Sequence, residues 1–336
     1  MLKYLIMIIT RTPYRLSFFG GGTDYNSWFE KHGGMVLAVS IGYYCYITVR
    51  NLPPFFDHKY RIVYSNIELK NKISEINHPS VRECLEYKNI LDGLEIHYDG
   101  DLPARSGIGS SSSFTVGLLK ALSCYKNETI SNLEIAKQAI FIEQNKLNES
   151  VGVQDQIMAA SGGFQTITLN KENTWKTKNI LLSDDYIKEL ESYILFGFSG
   201  ISRLADKHAK RKIDNIKNKK TDNELHRIMD IAKEAKVIFE SMGDIKKIGV
   251  LLNQSWQEKK KLANGLTNKY IDDIYNVALS KGAFGGKLMG AGGGGFFFFV
   301  APPKYHKRIK ESLPAIKVWV PFKADFNGST TILGKK

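Results

Sequence analysis

The sequence predicts an α+β fold in two domains, and three observations lead there. The chain has 336 residues, a length that suits two hydrophobic cores better than one. Its first half reads as strands and loops with helices inserted: Val36 to Val49 is rich in β-branched and aromatic residues, and Leu94, Ile96 and Tyr98 alternate with polar neighbours, as strands of a mixed sheet do. From Ile201 to Lys261 the chain is charged and helical, with Ile228, Ile231, Ala235 and Ile238 marking one apolar face, before strand patterns return at Gly295 to Ala301 and Lys317 to Phe322. The pattern changes around Ser183 to Asp185, which divides the chain into residues 1–180 and 181–336.

The opening segment, Met1 to Ile9, is apolar but shorter than the core of a signal peptide. It is followed by Arg11 and Arg15 and lacks a small-residue cleavage site, so it reads as a strand, with Met7 an equally good start. Nothing later approaches the length of a membrane span. The cysteines, Cys45, Cys84 and Cys124, are odd in number and too widely spaced for a zinc knuckle, which disfavours a secreted disulfide scaffold and fits a cytoplasmic protein. A formal charge of +13 attracts anions of any kind, from nucleic acid to phosphorylated metabolites. The basic residues are scattered and lack interleaved aromatics, a pattern that speaks against nucleic acid. The seven histidines show no metal-ligand spacing.

The strongest chemical signal is Leu102-Pro103-Ala104-Arg105-Ser106-Gly107-Ile108-Gly109-Ser110-Ser111-Ser112-Ser113, between the strand at Leu94 to Tyr98 and a helix carrying Phe114, Leu118 and Leu122. Glycines let a backbone approach an anion, a first helical turn offers unpaired N–H groups and a favourable dipole, and serine hydroxyls add hydrogen bonds or a metal ligand. The alternative is a plain helix cap, which needs one serine and not four. The segment is not a Walker A loop, because no glycine-lysine-serine/threonine follows at the required spacing. Protein-kinase signatures are missing too, since Asp325-Phe326-Asn327 lacks the final glycine.

A second loop, Lys287 to Gly295, satisfies G-x-G-x-x-G through Gly290, Gly292 and Gly295, but Phe296 to Val300 follows it where a dinucleotide site needs a helix. Five glycines in six residues are costly in conformational entropy, so either something large sits against this backbone or the loop is a tight hairpin. A third loop, Phe19-Gly20-Gly21-Gly22-Thr23-Asp24-Tyr25, precedes a short helical pattern with Trp28 and Phe29. Asp24 is either a cap of that helix or, with Arg11 and Arg15 upstream, half of a cation and carboxylate pair flanking a polyol site.

Two carboxylates stand in informative places. On a helix from Ser131 to Asn148, Glu143 falls on the apolar stripe of Leu133, Ala136, Ile140 and Leu147. An ionised group buried there must be protonated, paired with a base or bound to a metal, and magnesium, which accepts few protein oxygens beside phosphate and water, is the favoured reading. Asp155 follows a glycine break in Val151-Gly152-Val153-Gln154-Asp155 and opens a new helical pattern. It is either a first-turn carboxylate complementing the helix dipole or a base that takes a proton from an attacking hydroxyl.

In order and content the three loops resemble motifs 1, 2 and 3 of the GHMP kinases, the superfamily of galactokinase, homoserine kinase, mevalonate kinase and phosphomevalonate kinase, over most of the chain. Arg11 to Tyr25, Pro103 to Gly107 and Gly200-Ile201-Ser202-Arg203 are most similar to the D-glycero-D-manno-heptose 7-phosphate kinases within it. The resemblance implies a ribosomal protein S5 domain 2-like N-terminal domain and a ferredoxin-like C-terminal domain, with the site between them. It implies ATP and Mg2+ as cofactors, with Pro103 and Ser106 to Ser112 (Gly107, Ile108, Gly109, Ser110 and Ser111 between them) around the nucleotide phosphates. Ser111 and Glu143 would hold the metal, Asp155 would be the base, and Arg15 would support developing charge. Gly21, Gly22, Thr23, Asp24 and Tyr25 would meet the sugar, and Gly290, Ala291, Gly292 and Gly293 would close over it. Arg203, with Lys207, His208, Lys210 and Arg211, forms a helical basic cluster that either meets a phosphate already on the sugar or is ordinary solvated surface. The implied reaction phosphorylates the C1 hydroxyl of heptose 7-phosphate in the cytoplasm, with a sugar phosphate and a second copy in a homodimer as partners and neither nucleic acid nor membrane among them. Other sugar or mevalonate kinases, and a non-catalytic sensor on the same fold, are the competing readings.

Overall fold

The computed structural model describes residues 7–200, 206–290 and 292–334, with the side chains of 206–209 left aside. The chain forms two sheets. The first contains β1 (Met7–Phe19), β2 (Gly34–Asn51), β3 (Tyr60–Val63), β4 (Ile67–Lys70), β5 (Leu94–Gly100), β6 (Phe164–Leu169) and β7 (Trp175–Asn179). The second contains β8 (Ile194–Phe198), β9 (Gly285–Leu288), β10 (Phe296–Val300) and β11 (Val318–Val320). Two last strands, β12 (Ala324–Asp325) and β13 (Thr330–Leu333), return to the first sheet, on β2 and β1, an arrangement that a single division at residue 180 does not anticipate.

β2 organises the first sheet. It pairs with β1 along most of its length, with β6 along its first part and with β5 along its last. The β1–β2 register slips between Pro13 and Tyr14, because a proline has no N–H for the ladder and is accommodated at a bulge. Arg15 emerges just beyond that bulge, and its N–H reaches the carbonyl of Ile108 at 3.1 Å.

The helices are α1 (Asn26–His32), α2 (Pro79–Tyr87), α3 (Ser110–Tyr125), α4 (Asn132–Phe141), α5 (Gln154–Ser161), α6 (Asp184–Tyr193), α7 (Asp206–Lys217), α8 (Asp222–Glu240), α9 (Ile245–Lys261), α10 (Lys269–Ser280) and α11 (Pro303–Glu311). Ser131 caps α4 by accepting from the Glu134 N–H, and the helix then widens into a π-helical turn, Ile142–Lys146, that carries Glu143. On α8 the buried face runs through Leu225, Ile228, Ala232, Ala235 and Phe239, while Ile231 and Ile238 are only half-buried against it.

The run Phe296 to Phe299 shows why a strand can lack alternation. Phe296 and Phe298 join the core shared with the first sheet, whereas Phe297 and Phe299 join a second cluster with Leu195, Trp256, Tyr275 and Leu288. A strand covered on both faces is apolar throughout. Among the described residues no helix is long and apolar enough to cross a membrane.

Candidate active site

The serine-rich loop leaves β5 and turns into α3 through left-handed residues, Arg105 at φ 58°, Gly107 at 85° and Gly109 at 78°. Gly109 occupies the N-cap position and no side chain caps the helix. The four serines are used otherwise. Ser110 Oγ accepts from the Arg105 N–H, Ser112 donates to Glu143, and Ser113 donates to the carbonyl of Pro13. Ser111 is exposed and lines a cavity of about 270 Å³. The plain-cap reading therefore fails, and the first-turn amides of α3 have no side-chain acceptor. Gly107, Gly109, Ser110 and Ser111 line the cavity. Ser106 ties the loop by donating to the Pro103 carbonyl at 2.6 Å, Ile108 is wholly buried, and Ser112 faces Glu143, so these four shape the loop from behind.

Arg15 and Asp155 meet at the turn of that loop. The guanidinium donates twice to the carboxylate, Nε to Oδ1 and Nη2 to Oδ2 at 2.8 Å each, while Nη1 donates to the Gly107 carbonyl at 2.7 Å. Such a planar bidentate pair fixes both side chains in orientation as well as in place. Asp155 lies in the first turn of α5, as the dipole reading has it, and lines the cavity as well. A Cβ at Gly109 would stand 3.4 Å from the Arg15 side chain and 3.5 Å from that of Asp155, so the pair rests directly on the phosphate loop.

The first glycine loop brings Asp24 to the same cavity. Asp24 does not cap α1, whose N-cap is Tyr25; its buried carboxylate accepts from the Gly22 N–H at 2.8 Å and from Gln154 Nε2 at 2.9 Å. Gly152 permits this packing, because a Cβ there would lie 2.0 Å from Asp24 Oδ2. Gly21, Gly22 and Tyr25 line the cavity with Asp24. Thr23 is wholly buried, and its hydroxyl donates to the Gly20 carbonyl at 2.8 Å, which makes it a brace of the turn.

The third loop is a hairpin between β9 and β10, and something large does sit against its glycines: the serine-rich loop itself. A Cβ on Gly290 would stand 2.6 Å from the Gly107 Cα, and one on Gly295 would stand 2.4 Å from the Ser106 carbonyl oxygen. The Phe296 N–H donates to that same carbonyl at 3.1 Å. Gly290, Gly292 and Gly294 line the cavity, whereas the Gly293 N–H turns to the Leu266 carbonyl. Ala291 and Arg203 lie outside the described residues, as do the side chains of Lys207 and His208.

Glu143 is 1% exposed. Its Oε2 accepts from Ser112 at 2.9 Å and from Gln156, and its Oε1 is buried without a partner. Burial first, and the charge of Glu149 second, push its pKa up to about 8. The serine in contact with Glu143 is Ser112 and not Ser111, its neighbour at the cavity face. Among the described residues no three of His, Cys, Asp and Glu gather as a ligand set, but magnesium completes its shell with phosphate and water and asks for no such cluster. An orphaned carboxylate oxygen beside serine hydroxyls fits that ion. Because burial raises the folded-state pKa above the ordinary carboxylate value of 4.5, Glu143 contributes most below pH 4.5, and its contribution is lost as pH rises toward 8. Metal-free protein is therefore expected to lose on the order of 4 kcal/mol across that window, and Glu143→Gln to flatten the loss. Thermal unfolding in a chelator at several pH values measures both; identical pH profiles would show that Glu143 does not hold this buried charge.

Among the cavity residues that escaped the sequence reading are three lysines, Lys212, Lys259 and Lys287. Lys259 sits in Lys259-Lys260-Lys261, which looks like a solvated helix end, yet it continues the buried face of Ile248, Leu252 and Ser255 on α9. That spacing was the available signal. Its Nζ donates to the carbonyls of Leu288 and Gly290 at 3.2 and 2.8 Å. Lys287 lies on the wholly buried β9 and donates to the Phe18 carbonyl at 3.1 Å.

Comparison with known proteins agrees with this geometry. The GHMP kinases N terminal domain matches residues 76–163, and the GHMP kinases C terminal domain matches residues 231–316. A D-glycero-alpha-D-manno-heptose 7-phosphate kinase of Campylobacter jejuni is 31% identical over 295 residues, covering 85% of this chain and 86% of that protein. A galactokinase of Pyrococcus furiosus is 25% identical over 317 residues, with 85% and 86% covered. In fold, the chain is similar to a D-glycero-D-manno-heptose 1-phosphate kinase from Bacteroides thetaiotaomicron, with a TM-score of 0.80 at 22% identity over 98% of this chain and 100% of the other. Three interlocked glycine loops around one cavity and matches to both domains lead to one statement of kinship: the chain belongs to the GHMP kinases, ATP-dependent phosphotransferases with an alcohol group as acceptor.

Proposed function

We propose that this enzyme moves the γ-phosphoryl group of ATP to the anomeric C1 hydroxyl of D-glycero-D-manno-heptose 7-phosphate, giving the 1,7-bisphosphate for nucleotide-activated heptose and surface polysaccharide synthesis. The observation that carries the reading is the Arg15–Asp155 pair held on the Gly107 carbonyl, where the phosphate loop and the Asp24 loop face one cavity. The 31% identical relative supports the choice of sugar phosphate.

In this reading the α3 amides and the serine-rich loop receive the nucleotide phosphates, and Asp24 orients the sugar hydroxyls. Asp155 takes the proton of the attacking hydroxyl, with its carboxylate aligned by the two Arg15 hydrogen bonds. Arg15 keeps its charge throughout and offsets the negative charge that develops at the transferring group. Glu143, Ser112 and Ser111 would hold magnesium, which would neutralise negative charge on the phosphates. Phosphoryl transfer asks little covalent chemistry beyond this, so positioning supplies most of the rate.

A panel of heptose 7-phosphate, heptose, galactose, fucose, N-acetylhexosamines and mevalonate in an ADP-release assay tests the substrate. Heptose 7-phosphate is expected to give the highest kcat/KM, and 31P NMR of the product to show a second phosphate at C1. Preference for another acceptor, or phosphate at another carbon, would refute the assignment.

A further inference from the structure

Five cationic side chains line the cavity, Arg15, Arg105, Lys212, Lys259 and Lys287, against three carboxylates, Asp24, Glu149 and Asp155. The lysines make no ion pair with these carboxylates, although the charge of Asp24 favours the protonated forms of Lys259 and Lys287. Asp155 is taken by Arg15, and Asp24 already accepts from Gly22 and Gln154. Among the described residues none of the three lysines forms an ion pair, although Lys212, Lys259 and Lys287 are only 4%, 7% and 4% exposed. Lys259 and Lys287 donate to backbone carbonyls that carry no charge. Lys212 lies over the Tyr25 ring, its Nζ 4.6 Å from the centroid, beside the Asp24 loop.

Burying ammonium groups together without counter-charge is unfavourable by several kcal/mol, so proteins do it where an anion arrives or where the groups give up protons. Here burial first, and repulsion among Arg15, Lys212 and Lys287 second, depress Lys259 well below the usual lysine range and take Lys287 to about 7. The serine-rich loop already offers amides of its own to an anion, with Gly107, Gly109, Ser110 and Ser111 lining the cavity.

We infer that Lys212, Lys287 and Lys259 form a second anion seat, distinct from the nucleotide loop, which receives the phosphate monoester that the acceptor already carries. This deepens the proposed function and rests on it in one respect, that the acceptor is phosphorylated. It also places the phosphate reader not on the Arg203 cluster, which the sequence offered as one of two readings, but on Lys212 of α7 and two lysines of the C-terminal half. An unphosphorylated sugar brings no counter-charge to the seat, so the seat favours the ester over it. Lysine suits this use, since a flexible ammonium follows a dianion as a point charge without the fixed fork of arginine.

The test separates this seat from the kinase reading. Protein loaded with Mg2+ and a non-hydrolysable ATP analogue, so that the nucleotide loop is filled, is titrated calorimetrically with heptose 7-phosphate, mannose 6-phosphate and the two unphosphorylated sugars. Wild-type protein is expected to bind each ester more tightly than its parent sugar. Lys212→Met and Lys287→Met are each expected to reduce that preference by about 10- to 100-fold, the usual effect of losing a hydrogen bond to a charged group, with affinity for the analogue held within about twofold as the control for folding. Lys212→Arg, which keeps the charge, is expected to retain most of the preference. An undiminished preference for esters in both methionine variants would overturn the seat while leaving the kinase reading intact. Wild-type protein that binds esters and parent sugars equally would overturn the seat too, and ADP release on an unphosphorylated sugar would then show which part of the proposed function survives.

Discussion

Asp155→Asn is expected to fold normally and to lower kcat by about 10²- to 10⁴-fold, the range for removing a positioned general base. The asparagine oxygen can still accept one of the two hydrogen bonds from Arg15, so the change leaves shape and removes charge and basicity. Stability is expected to fall by only about 1–3 kcal/mol, as for a hydrogen bond to a charged group. Single-turnover rates with ATP and the acceptor measure the chemical step apart from binding. Turnover close to wild type would mean that Asp155 serves only to hold Arg15 in place, and Arg15→Met would then carry the larger loss.

The second large effect is expected at the interlocked glycines. Gly107 has φ of 85°, and a Cβ there would stand 2.7 Å from the Met289 carbonyl oxygen and 2.8 Å from its carbon. Those are backbone atoms of the opposing loop and cannot swing aside as a side-chain end does. Gly107→Ala therefore combines left-handed strain with separation of the two loops, an expected loss of about 2–4 kcal/mol. The same displacement moves the phosphate seat against Asp155. A misplacement near 1 Å is expected to lower kcat/KM by about 10²-fold. Gly290→Ala attacks the same contact from the other side, since its Cβ would stand 2.6 Å from the Gly107 Cα. The double variant is expected to cost less than the sum of the two, because either change alone already parts the loops. Denaturant unfolding and kinetics on the three variants measure both losses; strict additivity would show that the loops do not act as one unit.

Much of this site was legible in sequence because its chemistry depends on local spacing. A serine-rich turn before a helix, a carboxylate on an apolar stripe and a carboxylate after a glycine break are all short-range patterns, and Asp24, Gly107, Ser111, Asp155 and Gly290 share one cavity. What sequence left unread depends on residues far apart in the chain. Ser112 and not Ser111 meets Glu143, because helical rotation at α3 and the π turn set which hydroxyl faces it. Thr23 braces its own turn, since the chain folds it behind the loop. Lys259 and Lys287 were assigned no role, because only tertiary packing of α9 and β9 buries them at the cavity. The fold was readable at the level of two α+β units, but pairing of β13 with β1 links residues more than 300 positions apart and leaves no local trace.

That pairing bears on how the enzyme is made. β1 is made more than 300 residues before the strand that covers its outer edge, and Thr12 waits for the hydroxyl of Ser329. While those residues are being added, the nascent chain carries an open ladder on one side and its larger sheet is incomplete. Topologies closed by such distant contacts mature slowly, and the unpaired edge is where a growing chain would first stick to its neighbours or call on a chaperone.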